Sequence, residues 1–323
     1  MGYVISARNV LMKSLNVGIF HDDGIGKELG KKGTVSDISF FNRKTDDVIF
    51  TFMQPVEDKL LAKAQIMSAI DAAIVSFREV SPGLGETILM LDSLGVSRGI
   101  IINPPYSDAG AVEGLVRNTI LKEFPIVEND PGEIIQKLEE IETNRNNESP
   151  VSVVIDHSFN VKGLGEVLLG FVKSGTLRKH DKLTLLPAGK EIVVRSIQMH
   201  DKDFDEAPVG SRVGVAIKGA SVEELKRGSV LCVPETHKTG KELKLKFEKN
   251  KFYSQEIEKG TFHLLVGMQT MPVNIEETTD GTITISTEQT FVYKEDDVFL
   301  FFDLNAKKMH LVGKGKMMNS PSV

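Results

Sequence analysis

Short apolar runs alternate with amphipathic segments along the first part of the chain. Four runs are unbroken and of strand length, which is typical of parallel strands covered on both faces; they cover 16–20, 48–52, 72–77 and 99–103. Apolar residues at helical spacing predict helices over 57–71, 85–95, 108–124 and 130–145. Gly95 is expected to cap the second helix and Asp130 to begin the last one. The alternation predicts an α/β domain.

The pattern changes after Pro150, where strand-like runs follow one another with glycine turns between them. Six strand candidates come in close succession, which predicts a closed antiparallel barrel; they cover 151–156, 165–175, 181–187, 191–200, 211–219 and 228–234. A second β-rich unit begins near Glu235, with strands predicted over 241–249, 261–269, 281–287 and 296–304. We therefore expect an α/β domain over 1–149, followed by two antiparallel β-barrels over 150–234 and 235–323.

Composition narrows the class of protein. The 323 residues, of which 41% are hydrophobic, are enough to build several cores. The single cysteine, Cys232, excludes a disulfide framework, and the seven histidines are scattered, so no structural metal is expected. No apolar run is long enough to cross a bilayer and no signal peptide is recognisable, which predicts a cytoplasmic protein without a membrane partner. The net charge of −6 argues against a general nucleic-acid coat protein.

The segment 16–33 begins like a buried strand that leads into a glycine-rich phosphate loop. Such a loop needs GxxxxGK followed by serine or threonine. Backbone N–H groups then surround the phosphates, while the lysine and the hydroxyl meet the outer phosphates and magnesium. Counted from Gly18, the second glycine falls on Asp23 and the lysine falls on Gly24. This register does not form the loop.

The other register of the loop uses Gly26 and Lys27. The first glycine would then fall on His21, and the hydroxyl position is Glu28. The two aspartates at 22–23 also bring carboxylates to a place where phosphates need cations and amide donors. Repulsion should dominate there, so we expect no nucleotide bound in the usual way.

The other segments that handle a guanine nucleotide are also missing. After the run at 48–52 a GTPase would have DxxG, but the chain reads MQPVED. After the run at 99–103 a guanine-binding protein would have NKxD, but here Asn103 and Asp108 are too far apart and the lysine is absent. An unrelated α/β domain with a chance glycine loop remains an alternative on these observations alone.

The first β-rich unit carries a resemblance to a known family. The sequences VIDHSFNVKGLGEVLLGFVKSGTLRKHDKLTLLP and VRSIQMHDKDFDEAPVGSRVGVAIKGASVEELKRGSVL resemble the second domain of translational GTPases of the elongation factor Tu type. The selenocysteine-specific factors are the most similar branch. The whole chain, including LGKKGT and IDHSFNVKG, resembles small SelB-like elongation factor paralogues of methanogenic archaea, proposed as pyrrolysine-related factors, whose G domain is degenerate.

The resemblance implies a P-loop-GTPase-like α/β domain followed by two β-barrels. It also implies that the glycine loop is vestigial, with Gly18, Gly24, Gly26 and Lys27 as its remains. We therefore expect no cofactor and no catalytic residue, with GTP and magnesium bound only if the loop is unconventional. The expected protein is a pseudo-GTPase and a monomer.

In that family the second domain holds the aminoacyl end of a charged tRNA. This implies a pocket here made by Asp156 for the α-amino group, Phe159 for the terminal adenosine, and His157, His200 and Arg212 beside them. The alternative is that Phe159 belongs to the core and that His200 and Arg212 are solvated strand residues.

The second β-rich unit carries a basic strip. Lys244 and Lys246 share one face of a predicted strand, and Lys249 and Lys251 follow at its end. Each could neutralise one phosphate of a tRNA backbone. A solvated strand edge protected by lysines is the alternative.

The sequence thus favours a SelB-like factor that binds tRNA or aminoacyl-tRNA, with the ribosome as a further candidate partner. Two rival hypotheses stay open. One is a true GTPase that uses Lys27, Lys31 and Lys32 as phosphate ligands. The other is a protein-interaction scaffold in translation whose pocket is vestigial.

Overall fold

The fold was analysed in a computed structural model that describes residues 12–103, 109–143, 145–279 and 281–318. The first domain is built on a sheet in the order β2-β3-β4-β1-β5-β6-β7. β1 pairs in parallel with β4 and β5, and β6 continues the parallel part to β7. The strands are β1 (Lys13–Phe20), β2 (Lys31–Val35), β3 (Ile38–Lys44), β4 (Val48–Pro55), β5 (Ala72–Ser76), β6 (Gly99–Ile102) and β7 (Ile126–Val127).

The described residues of the first domain form five helices, of which four lie at or near the predicted positions, while the first was not predicted. They are α1 (Ile25–Leu29), α2 (Leu60–Ala69), α3 (Pro82–Leu94), α4 (Ala109–Val116) and α5 (Pro131–Glu139). Gly95 caps α3 in the left-handed conformation, and the Asp130 side chain accepts the N–H of Glu133 at the start of α5, so both predicted caps are confirmed. The helix predicted over 57–71 begins only at Leu60, because Glu57 and Asp58 adopt positive φ.

The glycine-rich segment after β1 forms a short helix and then a strand, and not a phosphate loop followed by a long helix. α1 contains 5 residues, and β2 begins at once after Gly30. The sequence did not predict β2, since its residues are mostly exposed and lack an apolar alternation. It pairs with β3, an antiparallel strand that was also missed.

The first barrel closes through six strands in the order β11-β16-β8-β9-β15-β12, with β12 returning to β11. All six predicted strands form this wall. Two short strands form a separate pair, and one more extends the sheet beyond β12. The strands are β8 (Ser152–Val161), β9 (Gly165–Ser174), β10 (Thr176–Arg178), β11 (Lys182–Leu186), β12 (Lys190–Met199), β13 (Lys202–Phe204), β14 (Glu206–Pro208), β15 (Arg212–Lys218) and β16 (Val230–Cys232).

The second barrel is closed in the order β17-β20-β19-β18-β21-β22. Four of its strands were predicted. The sequence missed β19 and β22, because one alternates with polar residues and a proline while the other has two glycines in place of apolar residues. The strands are β17 (Lys238–Lys249), β18 (Gly260–Val266), β19 (Gln269–Thr279), β20 (Thr282–Tyr293), β21 (Phe299–Phe302) and β22 (Leu311–Met317).

The three domains share buried surface. One apolar cluster joins α2 and α3 of the first domain to Phe171 of the first barrel and to Leu265 and Phe302 of the second barrel. The two candidate sites lie beside this shared core, one at the carboxyl end of β1 and the other between the first domain and the first barrel.

Candidate functional site

The loop after β1 is occupied by a carboxylate of the chain itself. Asp22 is 3% exposed, and its Oδ1 accepts the backbone N–H groups of Gly24 at 2.9 Å and Ile25 at 3.0 Å. Its Oδ2 lies 3.0 Å from Nη2 of Arg78. Gln54 donates to the carbonyl oxygen of Asp22 at 2.6 Å. The N–H groups that begin α1 are therefore satisfied from inside the protein.

Two glycines of the predicted loop serve packing. A Cβ on Gly26 would lie 2.7 Å from the Phe41 ring and from Gln54, and a Cβ on Gly18 would lie 2.7 Å from the Phe20 ring. A Cβ on Gly24 would meet only Asp22, at 3.7 Å. Close packing against β3 and β4 is therefore a sufficient reason for glycine at position 26.

A small cavity of about 240 Å³ lies beside this loop, and four of the ten residues that line it are acidic. Four carboxylates face it, and one cation, Arg78, is already paired with Asp22. The four are Asp22, Asp23, Asp58 and Glu79. His21 also lines the cavity, and burial together with the charge of Lys63 lowers its pKa. A phosphate would meet net negative charge there.

Within the described residues no lysine lines this cavity, and the nearby Lys63 is paired with Asp58 at 3.1 Å. Lys27 is exposed on α1, and Lys31 and Lys32 are exposed on the edge strand β2. Asn103 follows β6, but Asp108, the other residue of the guanine-binding comparison, lies outside the described residues.

The second candidate site surrounds Asp156, the extra residue of a bulge in the β8–β9 pairing. The bulge turns its side chain inward, where it is 2% exposed. Oδ2 lies 3.3 Å from Nη2 of Arg212, and Oδ1 lies 3.7 Å from Nε of Arg227. Among the described residues, Oδ1 accepts no hydrogen bond.

Arg212 connects the first barrel to the first domain. Its Cζ lies 3.5 Å from the centre of the Phe40 ring on β3, and 5.9 Å from that of Phe171. Burial lowers the pKa of Arg212 to about 10 against the opposing charge of Asp156, so the guanidinium is cationic at neutral pH. Burial raises the pKa of Asp156, while the charges of Arg212 and Arg227 lower it.

Arg227 joins all three domains. It donates to Asp37 Oδ2 at 2.7 Å and to the Asp156 carbonyl oxygen at 3.2 Å. It also donates to Gln65, which donates to the carbonyl oxygen of Met268 in the second barrel at 3.0 Å. Burial opposes ionisation of Asp37, but its hydrogen bond to Arg227 and that cation hold its pKa below the usual value. The sequence does not point to Arg227, Asp37 or Phe40, since no local pattern marks contacts between such distant residues.

The other predicted pocket residues are exposed, and only His157 and Phe159 are shown to lie together. The rings of His157 and Phe159 are 6.2 Å apart, and Phe159 is 37% exposed. His200 is exposed at the turn after β12, with φ of 50°. Partial burial of its ring lowers its pKa, and the charges of Lys44 and Arg212 add to this effect while Asp201 opposes it. The structure thus separates a buried pair, Asp156 and Arg212, from exposed rings near the same strands.

The predicted lysine strip divides into two parts. Lys244 and Lys246 are exposed on β17, and Lys246 is directly opposite Lys316 of β22. Lys249 and Lys251, at and after the end of β17, line a groove against the first domain. Two lysines that face each other on neighbouring strands repel unless an anion lies near them. Lys244, Lys246 and Lys316 are therefore the candidate contacts for the phosphates of a nucleic-acid backbone, and these three lysines are called the backbone strip.

Comparison with known proteins identifies the family. Residues 165–232 match the family model for elongation factor Tu domain 2. An uncharacterised protein of Methanocaldococcus jannaschii is 36% identical over 310 residues, which cover 95% of this chain and 100% of that protein. The selenocysteine-specific elongation factor of the same organism is 28% identical over 271 residues, which cover 70% of this chain and 57% of that factor. The chain belongs to the translational GTPase superfamily.

Solved structures of two elongation factors have a similar fold. The crystal structure of translation elongation factor SelB from Methanococcus maripaludis in complex with the GTP analogue GppNHp superposes with a TM-score of 0.80 at 23% identity, covering 96% of this chain and 80% of that chain. A bacterial selenocysteine-specific elongation factor gives a TM-score of 0.76 at 19% identity, covering 95% of this chain and 58% of that chain. At these identities the likeness concerns the fold.

The chain spans a little over half, 57%, of the length of the selenocysteine-specific factor that it matches. In the part of the chain that the structure describes, no helix is long and apolar enough to cross a membrane, and no group of three histidine, cysteine or acidic side chains is arranged to hold a metal ion.

Proposed function

We propose that this protein is a SelB-like elongation factor paralogue that binds tRNA or aminoacyl-tRNA without using GTP. We infer the loss of GTP binding from the Asp22 carboxylate, which accepts the two N–H groups at the start of α1. A phosphate would have to displace a buried carboxylate and its ion pair with Arg78, and it would enter among further acids. The first domain then acts as a structural partner of the barrels.

The buried oxygen of Asp156 supports an amino-group site. Oδ1 is buried without a hydrogen-bond donor among the described residues, and a buried acceptor in that state is costly. A protonated α-amino group would supply both a donor and a positive charge. Because Asp156 is buried under the contact between the first barrel and the first domain, an amino group reaches Oδ1 only after that contact opens locally.

The surrounding surface suits the rest of a charged tRNA end. The exposed rings of His157 and Phe159 offer a stacking surface for the terminal adenosine. Lys244, Lys246 and Lys316 offer cations for the phosphate backbone on the second barrel. Because the first domain has no nucleotide in this proposal, tRNA release depends on another trigger, such as the ribosome.

The test is binding of fluorescently labelled total tRNA, aminoacylated against deacylated, over a salt series and with or without GTP and magnesium. Preference for charged tRNA is expected, and Asp156→Asn should abolish it while Asp205→Asn, an exposed aspartate of the same barrel, should not. Urea unfolding of both variants establishes that they are folded. Equal binding of charged and deacylated tRNA by the wild type would contradict the amino-group site.

The rival GTPase hypothesis is tested separately by titration with GTP and magnesium. We expect a dissociation constant weaker than about 10 μM, or about −7 kcal/mol. Tighter binding that is lost in a Lys27→Gln/Lys31→Gln/Lys32→Gln variant would favour an unconventional phosphate loop instead. The scaffold hypothesis predicts that Asp156→Asn and Arg212→Met leave binding of any protein partner unchanged.

A further inference from the structure

A groove of about 1060 Å³ lies between the first domain and the second barrel. One wall consists of α3, the residues just before it and the end of α4. The other wall consists of the end of β17, the turn after it, and the segment that leads into β22. The groove lies apart from the backbone strip, because neither Lys244 nor Lys246 lines it.

The barrel wall of the groove is strongly basic. Five lysines line it together with Glu248, and Asp92 of α3 lies on the opposite wall. Asp92 already accepts the backbone N–H of Ile120 at 2.8 Å, and Glu248 is 3.4 Å from the ammonium group of Lys314. A net positive field therefore fills this side of the groove. The five lysines are Lys249, Lys251, Lys307, Lys308 and Lys314.

The opposite wall and the rim carry exposed apolar side chains among polar ones. Val80 is 57% exposed, Leu115 is 38% exposed, and Phe252 is 56% exposed at the rim beside the lysines. Leu89 and Met309 lie between them, packed partly against the core. Large apolar side chains that meet in one groove indicate an interaction site more strongly than scattered ones do.

We propose that this groove binds an acidic amphipathic helix of a protein partner. Such a helix has one apolar face for Val80, Leu115 and Phe252, and one acidic face for the lysines. Charge complementarity fixes its orientation and speeds its association.

A protein segment would contact both the basic wall and the apolar side chains, whereas a nucleic acid would use only the basic wall. Phosphates would pair with the lysines, but the apolar side chains of α3 and α4 have no role in backbone binding. Phe252 is the single aromatic side chain that lines the groove within the described residues, which is a poor stacking surface for bases. The groove also slightly exceeds the usual volume of small-molecule pockets, about 300–1,000 Å³.

The experiment uses fluorescence anisotropy with three labelled probes and the full chain. The probes are a peptide of about 15 residues with leucine and glutamate at helical spacing, a peptide of the same composition in scrambled order, and a single-stranded oligouridylate. The amphipathic peptide should bind about tenfold more tightly than the scrambled one. Lys251→Gln/Lys307→Gln/Lys308→Gln should weaken its binding about tenfold, since each exposed ion pair contributes about 0.2–1 kcal/mol.

Two further variants separate this site from tRNA binding. Phe252→Ala should weaken the amphipathic peptide and leave tRNA binding unchanged. Lys244→Gln/Lys246→Gln, the matched control on the backbone strip, should leave the peptide unchanged. The proposal is overturned if the amphipathic and scrambled peptides bind equally, if neither binds, or if the oligouridylate binds as tightly and loses its affinity in the triple lysine variant.

Discussion

The Glu86 carboxylate of α3 contacts both backbone N–H groups and the imidazole ring of His310 just before β22. Its Oε1 accepts the N–H groups of His310 at 2.6 Å and Leu311 at 2.8 Å, and its Oε2 lies 3.1 Å from Nδ1 of His310. Glu86 is 5% exposed. A single buried carboxylate therefore joins the first domain to the second barrel and forms part of the frame behind the basic groove.

Removal of Glu86 should loosen this joint. Glu86→Ala leaves two backbone N–H groups without their acceptor, so we expect a loss of about 2–4 kcal/mol in the free energy of unfolding. Urea unfolding monitored by circular dichroism measures the change. Glu79→Ala removes an exposed carboxylate three residues before α3 and should have little effect. Equal stability of the two variants would contradict the importance of the contact.

The Asp22 carboxylate should stabilise the start of α1. Asp22→Ala removes the acceptor of Gly24 and Ile25 and the partner of Arg78, and it should lower the free energy of unfolding by about 1–2 kcal/mol. Asp23→Ala, its exposed neighbour, is the control. Thermal unfolding of both proteins distinguishes them. An unchanged midpoint for Asp22→Ala would mean that the N–H groups find other partners.

The free energy of unfolding should fall more when Arg212 alone is neutralised than when Asp156 and Arg212 are both neutralised. Arg212→Met leaves the Asp156 carboxylate buried with less compensation, and about 3–5 kcal/mol of stability should be lost. The double variant Asp156→Asn/Arg212→Met should recover part of that loss. A double-mutant cycle measures the coupling. Strictly additive losses would show that Phe40 packing, and not charge, dominates the effect of Arg212.

His237 should make the stability depend on pH. Burial and the charge of Lys294 lower its pKa to about 4, while Asp296 opposes this. Between pH 6.5 and about 4 the unfolded chain binds a proton that the folded protein does not, so stability falls as pH decreases through this window. His237→Gln should reduce that fall by on the order of 1–2 kcal/mol, allowing for partial exposure. Urea midpoints at several pH values, with exposed His157→Gln as control, measure it.

The backbone strip should contribute the salt dependence of tRNA binding. Lys244→Gln/Lys246→Gln should weaken charged and deacylated tRNA alike and reduce the slope of log affinity against log salt by about 0.7–0.9 per phosphate lost. Lys182→Gln/Lys202→Gln, exposed lysines of the first barrel, form the control. An unchanged slope would assign the strip to the solvated-edge alternative.

The sequence by itself determined the order and type of most elements. The six strands of the first barrel and the βα alternation before it follow from local hydrophobic periods, which depend only on neighbours along the chain. Strands with polar or glycine-rich patterns, such as β2 and β22, were missed for the same reason. Their pairing comes from adjacent strands and not from their own side chains.

The candidate sites divide in the same way. The incomplete phosphate motif around Gly18 and Gly26 is visible in the sequence, because a motif is a local spacing. Only the tertiary structure decided that Asp22 accepts the loop's N–H groups with Arg78 as its partner, and that Asp156 is enclosed by Arg212 and Arg227. Arg227 contacts Asp37 across 190 residues, and contacts of that range arise from the packing of domains, which no pattern of neighbouring residues encodes.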